Sequence, residues 1–317
     1  MQKNALSASL LEEYTRVAYY YYKENCTQEQ IAQRMHMSRQ RVNRILAECL
    51  RLGIVQISIS ASTEVMRLEL ESALKQKYGL RDARVVDCLN PEDIFRDLGR
   101  EAGKYLATCL FPHCIVGVTR GRTLAQMAAQ MPKLSAEDVT IVQLLGSKNS
   151  ELHTPSEIIY RIAEKLNARP CLLFAPILVS SPQLKESFLA DPAFQEAYQT
   201  IRRCDVSIAG IGDSARAEEL FRQGNVSIQP HLLLKPGQHV GGEIASHIFD
   251  TEGNEIQTNI QDQIIAAQLE DYRKIPIRIG VAGLEEKRTA IRGAMLGKYI
   301  NVLITDTQTA KSLCEEP

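Results

Sequence analysis

The chain has 317 residues, enough for two domains or for one small module joined to a large one. Its 37 Lys and Arg balance 38 Asp and Glu, for a formal net charge of −1, which excludes a protein basic throughout but leaves room for a local basic patch. With 44% hydrophobic and 24% charged residues the composition is that of a globular protein with a substantial core. No apolar run approaches the roughly 18 residues of a membrane span, and Glu12 and Glu13 stand where a secretory signal needs its apolar stretch. The eight cysteines are scattered, form no CxxC pair and have no clustered histidines beside them, so reduced thiols, a cytoplasmic location and no bound metal are expected.

From Leu10 the apolar residues Leu10, Leu11, Tyr14, Val17, Ala18 and Tyr21 recur at helical spacing. The run Tyr19 to Tyr22 resembles a base-stacking platform in composition. Successive helical residues point about 100° apart, however, so four consecutive rings cannot form one surface, and core packing with partly exposed rings is the expectation. Thr27 then caps a short helix whose first turn carries Glu29 and Gln30, ending near Met35. A break follows at His36 and Met37, and Ser38 caps a second helix running from Arg39 to about Arg51.

On that second helix Val42, Ile45, Leu46 and Cys49 share an inward face, while Gln40, Asn43, Arg44 and Ala47 lie on or beside the opposite one, with Arg39 and Arg41 near the capped end. A short helix, a tight turn and a second helix, with small Ala32 in the first, form the helix-turn-helix pattern. Arginine matches the two acceptors of guanine, and Gln or Asn matches the acceptor and donor of adenine. Residues 27–60 hold five arginines and two acids, a local charge of +3 suited to phosphates. The residues expected to meet duplex DNA are Thr27, Gln28, Ser38, Arg39, Gln40, Arg41, Asn43 and Arg44. One position departs from the pattern: His36 stands where the turn prefers Gly, because a left-handed backbone is needed there. After Gly53, residues 54–60 alternate with period two and predict a strand.

A polar helix over about residues 64–78 follows, with Leu68, Ala73 and Leu74 on one side, and ends at Gly79. The expected organisation is a DNA-binding domain over 1–60, a linker helix over 61–80 and a large domain over 81–317. In the last of these, strands are predicted at 83–86, 114–118, 139–145, 171–175, 206–211, 277–282 and 301–305, with helices at 94–110, 124–130 and 156–166 among those between them. Apolar strands alternating with helices make an α/β domain, a doubly wound, mostly parallel sheet covered on both faces. Such sheets bind ligands at the carboxyl ends of their strands.

Two of those ends stand out. Thr119, Arg120, Gly121, Arg122 and Thr123 lead from a strand into a helix, and a Gly, a hydroxyl and two guanidinium groups there suit a phosphate. The same residues also serve as an ordinary turn and cap. Lys287, past another strand end, reaches the same crevice or is a surface lysine in a first helical turn.

The segment TQEQIAQRMHMSRQRVNRILAECLRLGIVQISI resembles the N-terminal domain of SorC-type bacterial transcriptional regulators. GVTRGRTL, VQLLGS, AGIGD, VGGEIASHIFD, VAGLEEKRTAI and YINVLITD follow the same family in order, so the resemblance covers nearly the whole chain. It implies an effector domain similar in fold to sugar-phosphate isomerases and glucosamine-phosphate deaminases, binding a sugar or sugar phosphate. By motif, Arg120, Gly121, Arg122 and Thr123 form the phosphate loop, Gly212 and Asp213 border the crevice, Glu243 accepts from sugar hydroxyls and Lys287 completes the anion site. The chain departs from the family at Arg120 and at Gly283-Leu284. The resemblance also implies dimers combining into tetramers.

The expected function is therefore a sugar-responsive, DNA-binding regulator of a carbohydrate or polyol operon, without cofactor or catalytic residues. Its partners are operator DNA, a small sugar effector and copies of itself, and not a membrane. The alternative is a sugar-phosphate isomerase or deaminase that carries a DNA-binding module. His153, His231, His239 and His247 lie in different segments, and no acid/base pair is announced by spacing alone. RNA binding is disfavoured, because the module lacks an RNA-platform motif.

Overall fold

The structure, a computed structural model, describes residues 8–56, 62–88, 90–147, 154–214, 237–258 and 261–316. The chain forms two compact units, Met1–Val65 and Met66–Pro317.

The first unit holds α1 (Ala8–Tyr22), α2 (Gln28–Arg34) and α3 (Arg39–Arg51). Val17 and Ala18 of α1, Ile31 and Ala32 of α2, and Val42, Ile45, Leu46 and Cys49 of α3 make one buried cluster. Tyr14, Tyr20, Tyr21 and Tyr22 pack partly buried against it, whereas Tyr19 is 55% exposed, so the tyrosine run divides between core and surface. The strand expected at 54–60 does not begin as one. Ile54 and Val55 fold back onto the cluster, and the Val55 amide donates to the Cys49 carbonyl at 3.1 Å, a helix-terminating bond that replaces sheet pairing. Residues 57–60 lie outside the described residues.

α4 (Ser62–Tyr78) belongs to the second unit from Met66 onward and precedes the sheet. Its buried positions are Glu71 and Leu74, with Leu70 and Tyr78 partly buried beside them. Leu68 is 52% exposed, because six residues at 100° each place it about 120° from Leu74. Among the described residues seven strands form one sheet: β1 (Asp82–Val86), β2 (Ile115–Val118), β3 (Thr140–Gln143), β4 (Arg169–Cys171), β5 (Val206–Gly210), β8 (Ile277–Val281) and β9 (Val302–Asp306). Every pairing among them is parallel, in the order β1-β9-β8-β5-β2-β3-β4. Helices α5 (Ile94–Thr108), α6 (Arg122–Gln130) and α7 (Pro155–Leu166) contribute Leu98, Met127 and Ile158 to the core on one face. On the other face, α4 packs with α8 (Pro182–Ala190), α9 (Pro192–Arg202), α10 (Leu269–Lys274), α11 (Arg288–Leu296) and α12 (Thr307–Glu315), through Leu74, Phe188, Tyr198, Tyr272, Ile291 and Leu313. The arrangement is the expected α/β fold, a doubly wound parallel sheet.

Two further details differ from the sequence reading. The strand expected at 171–175 sits earlier, at Arg169–Cys171, because buried Gln143 accepts the Leu173 amide through its side chain at 3.3 Å and takes it out of the ladder. A hairpin that was not anticipated, β6 (Val240–Ile244) and β7 (His247–Asp250), forms a separate antiparallel pair. Its two turn residues, Ala245 and Ser246, have φ of 51° and 71°. A two-residue turn with both central residues left-handed is normally signalled by Asn-Gly, so Ala-Ser hides it.

The described cysteines carry free thiols. Burial pushes Cys114 up to about 11 and Cys88 to about 12, which keeps both protonated and unreactive.

Candidate functional site

In the first unit, local chemistry fixes how α3 is presented. Thr27 and Gln30 form a reciprocal capping box, with the Gln30 amide 3.3 Å from the Thr27 hydroxyl and the Thr27 amide 2.8 Å from the Gln30 carbonyl oxygen of the side chain. At the other end of α2, Met37 donates to Ala32 at 2.9 Å and His36 to Gln33 at 3.3 Å, the paired bonds of a Schellman ending. His36 has φ of 51°, the left-handed conformation the turn demands. Ser38 then caps α3 by accepting the Arg41 amide at 3.2 Å. Arg39, Gln40, Arg41, Asn43 and Arg44 are all exposed, and the Gln28 amide donates to Asn43 at 3.4 Å, joining α2 to the same face.

The five arginines are not equivalent. Arg34 pairs with Glu24 at 2.6 Å, Arg41 with Glu13 at 2.8 Å and Arg51 with Glu48 at 2.6 Å. Arg39 and Arg44 have no carboxylate within ion-pair distance among the described residues. The positive face counted from the sequence is thus concentrated on two side chains of α3.

In the second unit the sheet order reverses direction at β2, which lies between β3 and β5. Ligands of open α/β sheets bind outside the strand ends at such a point. There the Thr119 amide donates to Ile208 at 3.2 Å, and Gly121 turns the chain into α6 with φ of 127° and ψ of 165°. That backbone region is essentially open to glycine alone, and a Cβ there would meet only empty space. Arg122 opens α6 with its guanidinium 4.1 Å from the centroid of Phe95, a cation–π contact that aims an exposed side chain. Thr123 follows in the first turn, and the Arg120 carbonyl faces Gly210 at the end of β5. Past β5, Gly212 and Glu243 exchange two backbone bonds of 2.9 Å, tying the small hairpin to the segment that follows β5. One Glu243 carboxylate oxygen accepts the Ser246 amide at 2.9 Å, so this residue also closes the turn.

Lys287 completes the group. Its ammonium donates to the Ile211 carbonyl at 3.0 Å. Burial lowers its pKa, Asp213 opposes that, Arg122 reinforces it, and Glu243 and Glu286 oppose it. Arg122, Asp213, Glu243 and Lys287, spread over 166 positions of sequence from Arg122 to Lys287 inclusive (287 − 122 + 1), therefore share one electrostatic neighbourhood. The geometry that delivers Lys287 is strained: Leu284 has φ of 84°, held by its amide donating to buried Asp306 at 3.0 Å. No sequence pattern marked Asp306, Phe95 or Ser246 as site residues.

His153 and His231 lie outside the described residues. His247 is buried, with Nε2 2.9 Å from the Ala267 carbonyl and Nδ1 3.5 Å from Glu255, partners that explain it structurally. No cluster of three or more His, Cys, Asp or Glu among the described residues is arranged to hold a metal. No helix among them is long and apolar enough to cross a membrane.

Residues 64–315 match the family described as "Putative sugar-binding domain", and residues 8–52 match region 4 of sigma-70. The chain is 33% identical over 300 residues to the deoxyribonucleoside regulator of Bacillus subtilis (strain 168), covering 93% of this chain and 95% of that one. The chain belongs to the SorC-type family of transcriptional regulators. Another relative is LsrR of Escherichia coli (strain K12), 29% identical over 306 residues, covering 95% and 94% of the two chains. The full-length sorbitol operon regulator SorC from Klebsiella pneumoniae has a solved structure that superposes with a TM-score of 0.72 at 26% identity, covering 97% of this chain and all of that one. As a SorC-type regulator the chain combines a helix-turn-helix with a sugar-binding domain, and the alternative of an enzyme carrying a DNA-binding module finds no support among these relatives.

Proposed function

We propose that this regulator controls a carbohydrate or polyol operon by coupling duplex binding at α3 to a phosphorylated sugar in the crevice beside β2 and β5. Arg44, Gln40 and Asn43 read bases; Thr27, Gln28, Ser38, Arg39 and Arg41 meet the backbone. In the crevice, Arg122, Thr123 and the backbone around Gly121 hold the phosphate, Arg120 flanks them and Lys287 adds a point charge. Gly212 and Asp213 border the sugar, and Glu243 accepts from its hydroxyls. The observation that carries this reading is the gathering of Arg122 and Lys287 with two carboxylates at the sheet's reversal point, a set that matches an anion bearing hydroxyls. The chain works in the cytoplasm as a homo-oligomer, because one recognition helix spans only a few base pairs and paired helices multiply specificity. It turns over no sugar.

Calorimetry with 2-deoxyribose 5-phosphate, sorbitol 6-phosphate and the corresponding free sugars tests the proposal. Two charge-assisted hydrogen bonds at about 1.5–3 kcal/mol each put the phosphate ester more than tenfold tighter than its free counterpart. Equal affinities sink the phosphate loop, and conversion of either phosphate to product sinks the non-enzymatic reading.

A further inference from the structure

The end of α1 and the loop after it have no part in the reading above, yet they build a site. Tyr21, Tyr22, Asn25, Thr27, Gln28 and Arg39 line an open cleft of about 740 Å³. The Tyr21 and Tyr22 rings meet edge to face with centroids 4.9 Å apart, which restrains both phenols. Asn25 has φ of 53°, a conformation that Asn tolerates better than most residues. The cleft adjoins the α3 face, since Gln28 on its wall donates to Asn43. Its cation is Arg39, which pairs with no carboxylate among the described residues while Arg34, Arg41 and Arg51 are each held by one.

We propose that this cleft grips one DNA backbone phosphate outside the base pairs read by α3, through the Arg39 guanidinium, the Asn25 amide and the Tyr22 hydroxyl. This deepens the DNA-binding reading and rests on it. All three groups donate hydrogen bonds, and Arg offers two in parallel, the arrangement a phosphate accepts. Contacts of this kind set the register of a protein on the duplex and carry no sequence information. Glu29 lines the same cleft, and its charge opposes the anion that Arg39 attracts.

The test is fluorescence anisotropy of the full chain on a labelled mixed-sequence duplex and on a duplex obtained by selection, across a salt series, with thermal melts as a control for folding. Arg39→Gln is expected to reduce the slope of log affinity against log salt by about 0.9, the share of one phosphate. Tyr22→Phe combined with Asn25→Gly, which keeps the left-handed backbone, is expected to weaken both duplexes alike by about threefold to tenfold. Glu29→Gln should tighten both. The proposal is overturned if the double variant binds as wild type does, if only the selected duplex is weakened, or if wild type prefers single-stranded RNA of equal length. Failure of the wild-type protein to bind any duplex in a salt-dependent way overturns the DNA-binding reading itself, and the clamp with it.

Discussion

At the scale of single residues, a side chain's chemistry and its availability are different properties. Arg41 and Arg44 stand three positions apart on α3, but Glu13 holds Arg41 at 2.8 Å, and no such partner holds Arg44 among the described residues. Arg44→Ala should therefore cost about 1–3 kcal/mol on a preferred duplex and little on a scrambled one, as loss of a bidentate base contact does. Arg41→Ala also releases Glu13 to repel phosphate and should weaken both duplexes alike; gel shifts on the two duplexes distinguish these patterns, and unchanged binding by both variants removes the assignment. In the crevice, burial lowers the Lys287 pKa, so the unfolded chain holds this proton more tightly than the folded one. Between the depressed pKa and the ordinary value near 10.5, stability from this group therefore rises with pH. A bound phosphate favours the charged amine, so sugar-phosphate affinity should fall as pH rises through the depressed value, with proton uptake on binding. Calorimetry in buffers of different ionisation enthalpy reads this directly, and pH-independent affinity would exclude Lys287 from the anion site.

At the scale of elements, the site depends on how chain segments end. The α6 N-terminus exists because Gly121 accepts a backbone conformation that any Cβ resists. Gly121→Ala should destabilise the second unit by about 1–3 kcal/mol, visible as a lower Tm, and weaken the sugar phosphate besides. A variant as stable as wild type and as responsive would mean that the loop has another shape. α5, in contrast, packs closely on α6: a Cβ at Gly99 would lie 2.7 Å from the Met127 amide nitrogen, so Gly99→Val should push α6 and the Gly121 turn aside. That variant should lose more affinity for the sugar phosphate than for duplex DNA, measured by calorimetry and anisotropy on one preparation.

For the whole molecule, DNA reading and effector binding lie in separate compact units, and a ligand matters only if it favours one arrangement of the chain over another. Arg122→Ala should abolish the response to the sugar phosphate while leaving duplex affinity intact. Loss of DNA binding in that variant, measured without effector, would contradict the division of labour. Light scattering on the DNA complex should give an oligomer; a stoichiometric monomer would overturn the paired-helix reading.

The sequence by itself determined the helix-turn-helix almost to the residue, because its signals are local: caps at Thr27 and Ser38, a left-handed turn at His36, and an apolar stripe on α3 all act within a few positions. The alternation of apolar strands and helices likewise announced a parallel α/β domain, and the turn proposed to hold the phosphate was legible as a strand-to-helix turn because Gly121, Arg122 and Thr123 are consecutive. Other features were decided only by tertiary structure. Which arginines stay available depends on Glu13 and Glu24, placed beside them by packing of the helices and not by the count within residues 27–60. The early end of β4 depends on Gln143, thirty positions away, and the β6–β7 hairpin was hidden by a turn without Asn or Gly. The grouping around Lys287 is itself a long-range product. Ile211 meets Lys287 and Gly212 meets Glu243 only after β5, β8 and the hairpin are in place, and neighbours so distant in sequence leave no periodic trace in any one segment.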